Sequence, residues 1–150
     1  MGSGVVRMYY KPKYFKPYEL VDRKTYELFG DDSLMFFNFI SLQMLDDLRD
    51  FLGVPLIINN WKSGGSYEFS GFRPKWCDVG GEYSQHRLGQ AFDIKPVKMS
   101  ISDAFIKIIN NMADVRLQDI AAIEDVQYTP TWLHVDCRHL IEDGIRIVKP

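Results

Sequence analysis

Apolar residues along this chain recur with two different periods, and the change of period marks out the predicted elements. Between residues 34 and 51 they recur mostly every three or four positions, which predicts the longest helix. We expect Asp31, Asp32 or Ser33 to cap this helix and Gly53 to end it. The small Ser41 lies on the same stripe of the helix as the apolar residues. These are Phe37, Ile40, Met44, Leu45, Leu48, Phe51 and Leu52.

Shorter segments predict two more helices and a small sheet. Residues 18–29 form a short helix stopped by Gly30, and residues 101–112 form a helix capped by Ser100. The predicted strands are 54–58, which we expect to be the first core strand, and 91–94, 120–126, 132–137 and 145–148. The third and fourth of these are expected to pair as an antiparallel hairpin. Helices flanking a small antiparallel sheet define an α+β fold.

The chain is predicted to be a single domain with an extended N-terminal segment. Residues 1–17, punctuated by prolines, form this lead-in, and residues 18–150 form the domain, without an internal repeat. Residues 60–83 are rich in Gly, Ser and polar side chains and predict a long loop, which is typical of functional or mobile segments. The aromatic rings expected to pack across the outside of the domain are Tyr9, Tyr10, Tyr14, Phe15 and Tyr18.

Composition narrows the possible partners. A net charge of −2 argues against tight nucleic-acid binding, which needs many Lys and Arg residues to displace counterions. No apolar run is long enough for a membrane span, and no signal peptide is visible at the N-terminus. Cys77 and Cys137 cannot form a disulfide framework and suit a reducing cytoplasm, although either thiolate could bind a metal. We expect a monomer.

Two segments carry a candidate metal site. His86 and Asp93 lie seven residues apart, and His134 follows in a later predicted strand. Two neutral imidazoles and one carboxylate form a three-ligand set, which leaves the fourth position of a tetrahedral zinc ion (Zn²⁺) open, as in catalytic zinc sites. Asp136 could orient an imidazole or be a solvated strand carboxylate. His139 lies outside both segments and is expected at the surface.

The pattern Ser-x-His-x-x-Gly-x-Ala-x-Asp followed by Trp-x-His resembles the signature of the D-Ala-D-Ala carboxypeptidase family of zinc peptidases (peptidase family M15). That family includes D-Ala-D-Ala carboxypeptidases, D,D-dipeptidases and the L-alanyl-D-glutamate peptidases of phage endolysins. The similarity runs from about Tyr18 to Arg138. It includes residues 56–60 followed by 70–74, which resemble the family's strand leading to a substrate-binding Arg, and Gly-Gly-Glu-Tyr at 80–83. The resemblance implies a hedgehog/D-Ala-D-Ala-peptidase-like fold.

The same resemblance implies roles for individual residues. His86, Asp93 and His134 would bind zinc, and Arg73 would hold a substrate carboxylate or stabilise the oxyanion of the reaction. Ser84, two residues before a ligand, could bind substrate or hold its own loop.

The general base is not identified by the motif. Many family members carry an acidic residue three positions before the second His, where this chain has Thr131, which cannot act as a base. If a four-residue turn joins the hairpin strands, Asp125 faces His134 and Glu124 points to the other face. A register shift of one residue would exchange the two carboxylates. Asp125 is the predicted base, with Glu124 and Asp136 as alternatives.

The resemblance implies a zinc-dependent peptidase that cleaves peptidoglycan stem peptides at a D-Ala-D-Ala or L-Ala-D-Glu type of bond. Because no export signal or wall-binding module is visible, we expect a phage lysin-type enzyme. It would be made in the cytoplasm and would reach the bacterial wall with help from a holin or as part of a virion. The alternative is a non-catalytic zinc-containing module of a wall-binding or virion structural protein, which the missing acidic residue favours. Chelator-sensitive cleavage of purified peptidoglycan distinguishes the two.

Overall fold

The computed structural model describes residues 10–150, and within them it has three α-helices and a five-stranded sheet. The helices are α1 (Arg23–Phe29), α2 (Phe39–Leu52) and α3 (Ile101–Ile109). The strands are β1 (Leu56–Ile57), β2 (Ala91–Pro96), β3 (Ala122–Glu124), β4 (Leu133–Asp136) and β5 (Arg146–Val148). The α+β class is therefore confirmed. Residues 1–9 of the predicted lead-in, Tyr9 among them, lie outside the described residues.

The sheet is mixed, and the prediction of a purely antiparallel sheet is wrong at one edge. The strand order is β1-β2-β4-β3-β5, and β3 pairs with β4 antiparallel, as the predicted hairpin requires. β5 instead runs parallel to β3. Because β4 runs antiparallel to both β3 and β5, residues 137–145 stay at one end of the sheet and pass the start of β3 to reach β5.

β1 is a shorter strand than the one predicted over 54–58 and lies at an edge of the sheet, although Leu56 and Ile58 are buried in the core as expected. Only Leu56 and Ile57 pair with β2, and β1 has no second neighbour among the described strands. Pro55 precedes the pair and has no N–H to donate, so it can only accept, from Val97 N–H at 2.8 Å. Strand pairing therefore begins only after the proline, at Leu56.

α2 begins at Phe39, later than the apolar spacing predicts. The Asn38 side chain caps the helix by accepting a hydrogen bond from Ile40 N–H at 3.0 Å. The residues expected to supply the cap instead lie in a 3₁₀ helix over Gly30–Phe36. Gly53 ends α2 as predicted, with a φ of 72° in the left-handed region.

Aromatic packing explains the late start of α2. The Phe36 ring stacks on Phe72 with centroids 4.9 Å apart, and the Phe37 ring stacks on Phe92 of β2 at 5.5 Å. Both contacts are to residues distant in sequence, which local periodicity does not register. They also fix the start of α2 against the segments that carry the candidate site.

The other two helices begin at side-chain caps. Asp22 caps α1 by accepting from Thr25 N–H at 3.0 Å, and Ser100 caps α3 by accepting from Asp103 N–H at 3.0 Å. The predicted Ser100 cap is therefore confirmed. The helix predicted over 18–29 is divided into a 3₁₀ turn at Pro17–Glu19 and α1.

Buried Asp46 of α2 holds the described part of the lead-in against the domain. Its carboxylate accepts from Tyr10 Oη at 2.6 Å, from Lys13 N–H at 2.7 Å and from Tyr14 N–H at 3.3 Å. This agrees with the expectation that Tyr10 and Tyr14 lie across the outside of the domain, but the expectation is wrong for Phe15, which is buried in the core. No helix within residues 10–150 is both long and apolar enough to cross a membrane.

The central strands have one apolar and one polar face. Their apolar side chains pack into the core with the helices; they are Phe92, Ile94, Ile123, Leu133 and Val135. Asp93 and His134 alternate with these residues and point to the opposite face. The loop over 60–83, whose only helical turn is Trp61–Ser63, covers part of this polar face, since Ser70 O accepts from Asp93 N–H at 2.8 Å.

Gly89 brings the turn before β2 against the start of α2. Its carbonyl accepts from Asn38 N–H at 3.0 Å and from Ser41 Oγ at 2.9 Å. Its φ of 65° is in the left-handed region, and a Cβ at this position would collide with the Phe36 carbonyl oxygen. Only glycine meets both conditions.

We expect Gly89→Ala to lower the free energy of unfolding by about 3 kcal/mol or more, from left-handed strain plus overpacking. Gly53→Ala is the matched control, because Gly53 also has positive φ but has open space where a Cβ would stand. It should cost about 1 kcal/mol. Urea unfolding of both variants without added metal measures the difference. Equal losses would contradict the close contact at Gly89.

Candidate metal centre

Three buried side chains converge on the polar face of the sheet. Asp93 Oδ1 lies 3.2 Å from His86 Nε2 and 3.0 Å from His134 Nδ1. The three candidate ligand atoms all lie within 4.8 Å of one another, and within the described chain this is the group of His, Cys, Asp and Glu residues that could hold a metal ion. The structure therefore brings together the three ligands that the sequence predicts.

Strand register and a short turn set this convergence. Asp93 of β2 pairs directly with His134 of β4, so the two side chains share one face. His86 lies outside the sheet, in the turn before β2, and its Nδ1 is 2.8 Å from the Gly71 carbonyl oxygen. That carbonyl can only accept, so His86 Nδ1 carries the proton.

The outer hydrogen bonds define which nitrogens are free to bind a metal. His86 donates from Nδ1 to Gly71, and His134 Nε2 lies 2.9 Å from Asp136 Oδ2. In neutral rings with these tautomers, the lone pairs of His86 Nε2 and His134 Nδ1 both point at Asp93 Oδ1. Three electron-rich atoms then face one another with no proton between them. A cation is the natural partner for such a set.

Proton binding competes with a metal at this centre. Burial alone would lower the pKa of His134, but its hydrogen bonds to Asp136 and Asp93 raise that pKa to about 9. Burial lowers the pKa of His86. Burial opposes ionisation of Asp93, yet the contacts with His134 and His86 bring the pKa of its carboxyl well below the usual range. Without metal, His134 therefore carries the proton that Asp93 attracts.

Arg73 lies in the site, as predicted, and contacts a ligand. Its Nη2 donates to Asp93 Oδ2 at 3.0 Å and its Nε donates to the Phe69 carbonyl at 2.8 Å. Its side chain is 11% exposed, and burial lowers the pKa of the guanidinium. Arg73 therefore fixes the Asp93 oxygen that faces away from the two imidazoles.

Glu124, and not the predicted Asp125, faces the metal centre. Continuing the β3–β4 register from Ile123↔Val135 sets Glu124 opposite His134, and Glu124 Oε1 lies 3.8 Å from His134 Nδ1. The expected position of Asp125 is wrong by one residue. Its carboxylate turns away and accepts from the backbone N–H and Nε2 of Gln127 at 3.0 and 2.8 Å. This local turn follows directly on β3, which ends at Glu124.

Of the two roles open to Asp136, the structure favours orientation of an imidazole. The residue is fully buried, and its Oδ2 lies 2.9 Å from His134 Nε2. A solvated strand carboxylate would be exposed. Asp136 thus fixes the ring nitrogen opposite the one that faces Asp93.

The remaining predicted residues lie at the edge of the site or away from it. Ser84 Oγ accepts from His86 N–H at 3.3 Å, which is the loop-holding role; its substrate contact stays a prediction. Cys77 and Cys137 are unpaired thiols outside the three-residue group, and burial raises the pKa of Cys137 to about 12. His139 and Thr131 are exposed.

Lys95 is a site residue that the sequence did not reveal. Its Nζ donates to Ser70 Oγ at 2.6 Å, to the Ile58 carbonyl at 3.1 Å and to the Asp93 carbonyl at 3.2 Å. Burial lowers the pKa of its ammonium to about 8. The ammonium thus joins the long loop to β2 beside a ligand. The available signal was alternation, because Lys95 follows Asp93 by two positions on one face of β2.

Comparisons of the chain with models of known protein families, with curated proteins and with solved structures found no match. The family resemblance of the two motifs therefore stays a prediction.

We expect the apparent affinity for Zn²⁺ to rise about tenfold per pH unit between roughly pH 6.5 and 9, and to level off above that. Zinc must displace the proton of His134, whose pKa is about 9, whereas His86 is already neutral in this range. Competition titration with a chromophoric chelator measures the profile. His139→Gln, which alters an exposed histidine, should leave it unchanged. A pH-independent affinity would contradict the assigned proton.

Proposed function

We propose that this protein is a zinc-dependent peptidase that cleaves peptidoglycan stem peptides, with a fold of the hedgehog/D-Ala-D-Ala-peptidase type. The observation that carries the proposal is the set of His86, Asp93 and His134 with a second carboxylate, that of Glu124, 3.8 Å from a ligand nitrogen. A zinc site that only stabilises a fold needs no group beyond the metal ligands. A carboxylate beside a three-ligand set is the arrangement expected for hydrolysis.

Zinc suits the donor set. Two imidazole nitrogens and one carboxylate oxygen are preferred ligands of Zn²⁺, and tetrahedral bonds of about 2.1 Å separate neighbouring ligand atoms by about 3.4 Å. The two contacts to Asp93 Oδ1, at 3.2 and 3.0 Å, are close to that separation. When bound, a zinc ion supplies a Lewis acid that polarises a scissile carbonyl and acidifies water.

Glu124 is the proposed general base and acid. Its carboxylate takes a proton from the attacking water and delivers it to the amine that leaves as the peptide bond breaks. The side chain is 15% exposed, and burial raises the pKa of the carboxyl. A raised pKa strengthens the carboxylate as a base. Glu124 thereby replaces the acidic residue that the family motif would have at Thr131.

Arg73 and the long loop form the proposed substrate side of the centre. Arg73 uses Nη2 and Nε for Asp93 and Phe69, so Nη1 is the guanidinium nitrogen left for a substrate carboxylate or an oxyanion. Gly80 lies against Nη1, where a Cβ would be too close. The loop that carries Gly80 and Ser84 therefore borders the position a substrate would take.

One observation favours a second function. Thr131 is exposed and cannot act as an acid or base, as expected for a non-catalytic zinc module in a virion or wall-binding protein. In that case Glu124 would be a bystander or a fourth metal ligand. Peptidoglycan binding without cleavage, in the presence of zinc, would support this function. In the peptidase proposal the setting is a phage lysin-type enzyme, since the family that the motifs resemble includes the peptidases of phage endolysins.

The central test compares two neighbouring carboxylates. We expect Glu124→Gln to bind zinc yet to cleave purified peptidoglycan about 10²–10⁴-fold more slowly, because it removes the proton acceptor. Asp125→Asn is the matched control and should cleave near the wild-type rate, because Asp125 bonds to Gln127. Release of new amino groups gives the rates, and mass spectrometry of the muropeptides identifies the bond.

Three outcomes would count against this account. Wild-type rates for Glu124→Gln would remove Glu124 as the base. A large loss of cleavage activity in Asp125→Asn but not in Glu124→Gln would support the register predicted from the sequence, in which Asp125 faces His134. Absence of chelator-sensitive cleavage by the wild-type protein, on peptidoglycans of different stem chemistry, would favour the non-catalytic module.

A further inference from the structure

An ion pair lies directly behind His134, on the side of the ring away from Asp93. Asp136 Oδ2 lies 2.9 Å from His134 Nε2. Arg138 donates to both oxygens of the same carboxylate, from Nε to Oδ1 at 2.7 Å and from Nη2 to Oδ2 at 2.5 Å. The backbone N–H of Arg138 also donates to Oδ1, at 3.2 Å. His134, Asp136 and Arg138 therefore form one continuous hydrogen-bonded chain.

Asp136 has few other sources of compensation for its charge. Its partners across the two neighbouring strands are Ala91 and Ala122, and all three residues are fully buried. Alanine side chains offer no hydrogen bond, so the carboxylate depends on His134 and Arg138. Leaving a buried carboxylate with one neutral donor would be costly. The guanidinium both compensates the charge and fixes the two oxygens in a plane.

We propose that Arg138 is a positioning residue of the metal centre, which holds the Asp136 carboxylate in the orientation that fixes His134 as a ligand. This inference rests on the proposed zinc site. It extends the site to a residue whose hydrogen bonds all go to Asp136. The positive charge of Arg138 also acts on the Glu124 carboxylate.

The physical reason is the rotational freedom of the imidazole. A ring held only at its metal-binding nitrogen can turn, whereas a second bond at Nε2 fixes both its plane and its tautomer. That second bond is only as well placed as the carboxylate that accepts it. Mutation of the residue that accepts the hydrogen bond of a ligating histidine typically weakens metal affinity by about 10–100-fold. A residue that fixes such a partner should account for part of that factor.

The geometry also explains why the residue is an arginine. The Nε and Nη2 groups of one planar guanidinium reach both oxygens of Asp136 at once. A lysine ammonium has the same charge but is a point donor without this fork. Arg138→Lys should therefore restore charge without restoring orientation.

The test is a double-mutant cycle on zinc affinity, measured by chelator competition with purified protein. We expect Arg138→Gln to bind zinc about tenfold more weakly and Asp136→Asn to bind at least as weakly as that. The double variant should bind no more than about threefold more weakly than Asp136→Asn alone, because Arg138 has nothing left to position. Arg138→Lys should be intermediate. Arg146→Gln, on an exposed edge strand, is the control and should match wild type.

Thermal unfolding of the metal-free variants distinguishes a role of Arg138 in positioning His134 from a role in stabilising the fold. A residue that only supports the fold would lower the midpoint of the metal-free protein without weakening zinc binding by the folded protein. That result, or additive effects in the cycle, would overturn the inference. If Arg138→Gln does not fold, Arg138→Lys decides, since wild-type zinc affinity in this variant would also overturn it. Failure of the wild-type protein to bind zinc would instead contradict the proposed function.

Discussion

The Asp93 carboxylate is the group around which the candidate site is arranged. One oxygen contacts His86 Nε2 at 3.2 Å and His134 Nδ1 at 3.0 Å, and the other accepts from Arg73 at 3.0 Å. Asp93 is 9% exposed, so water cannot compensate its charge, and neighbouring groups must do so. A proton on His134 meets this need without metal. A divalent cation bound among the three ligand atoms meets it better, because it satisfies all three at once.

The rest of the fold holds the groups around this carboxylate in place. The long loop over 60–83 has little secondary structure of its own, yet it bonds to both ligand segments. Ser70 O accepts from Asp93 N–H, and Gly71 O accepts from His86 Nδ1, each at 2.8 Å. Because these acceptors lie in the loop that borders the proposed substrate position, metal binding and loop order should be coupled.

Local sequence patterns were sufficient for the ligands and insufficient for their surroundings. Two motifs and their resemblance to a zinc-peptidase signature identified His86, Asp93 and His134, and none of the three assignments required knowledge of the strand pairing. Register across the β3–β4 hairpin depends on the turn that follows Glu124, which alternation within either strand does not determine. The late start of α2, the parallel β5 and the ammonium of Lys95 depend on partners distant in the chain. The spacing of apolar residues along the chain carries no information about such distant contacts.

A crystal structure of the zinc-loaded protein, with anomalous data at the zinc edge, would show directly whether Asp93 is the centre of a metal site. We expect one strong anomalous peak per chain, about 2.0–2.2 Å from His86 Nε2, Asp93 Oδ1 and His134 Nδ1, with a fourth position open beside Glu124. The Asp136 and Gly71 contacts to the outer ring nitrogens should be retained. A fully loaded protein with no peak among these three atoms, or with its zinc bound elsewhere, would rule out a metal centre at Asp93.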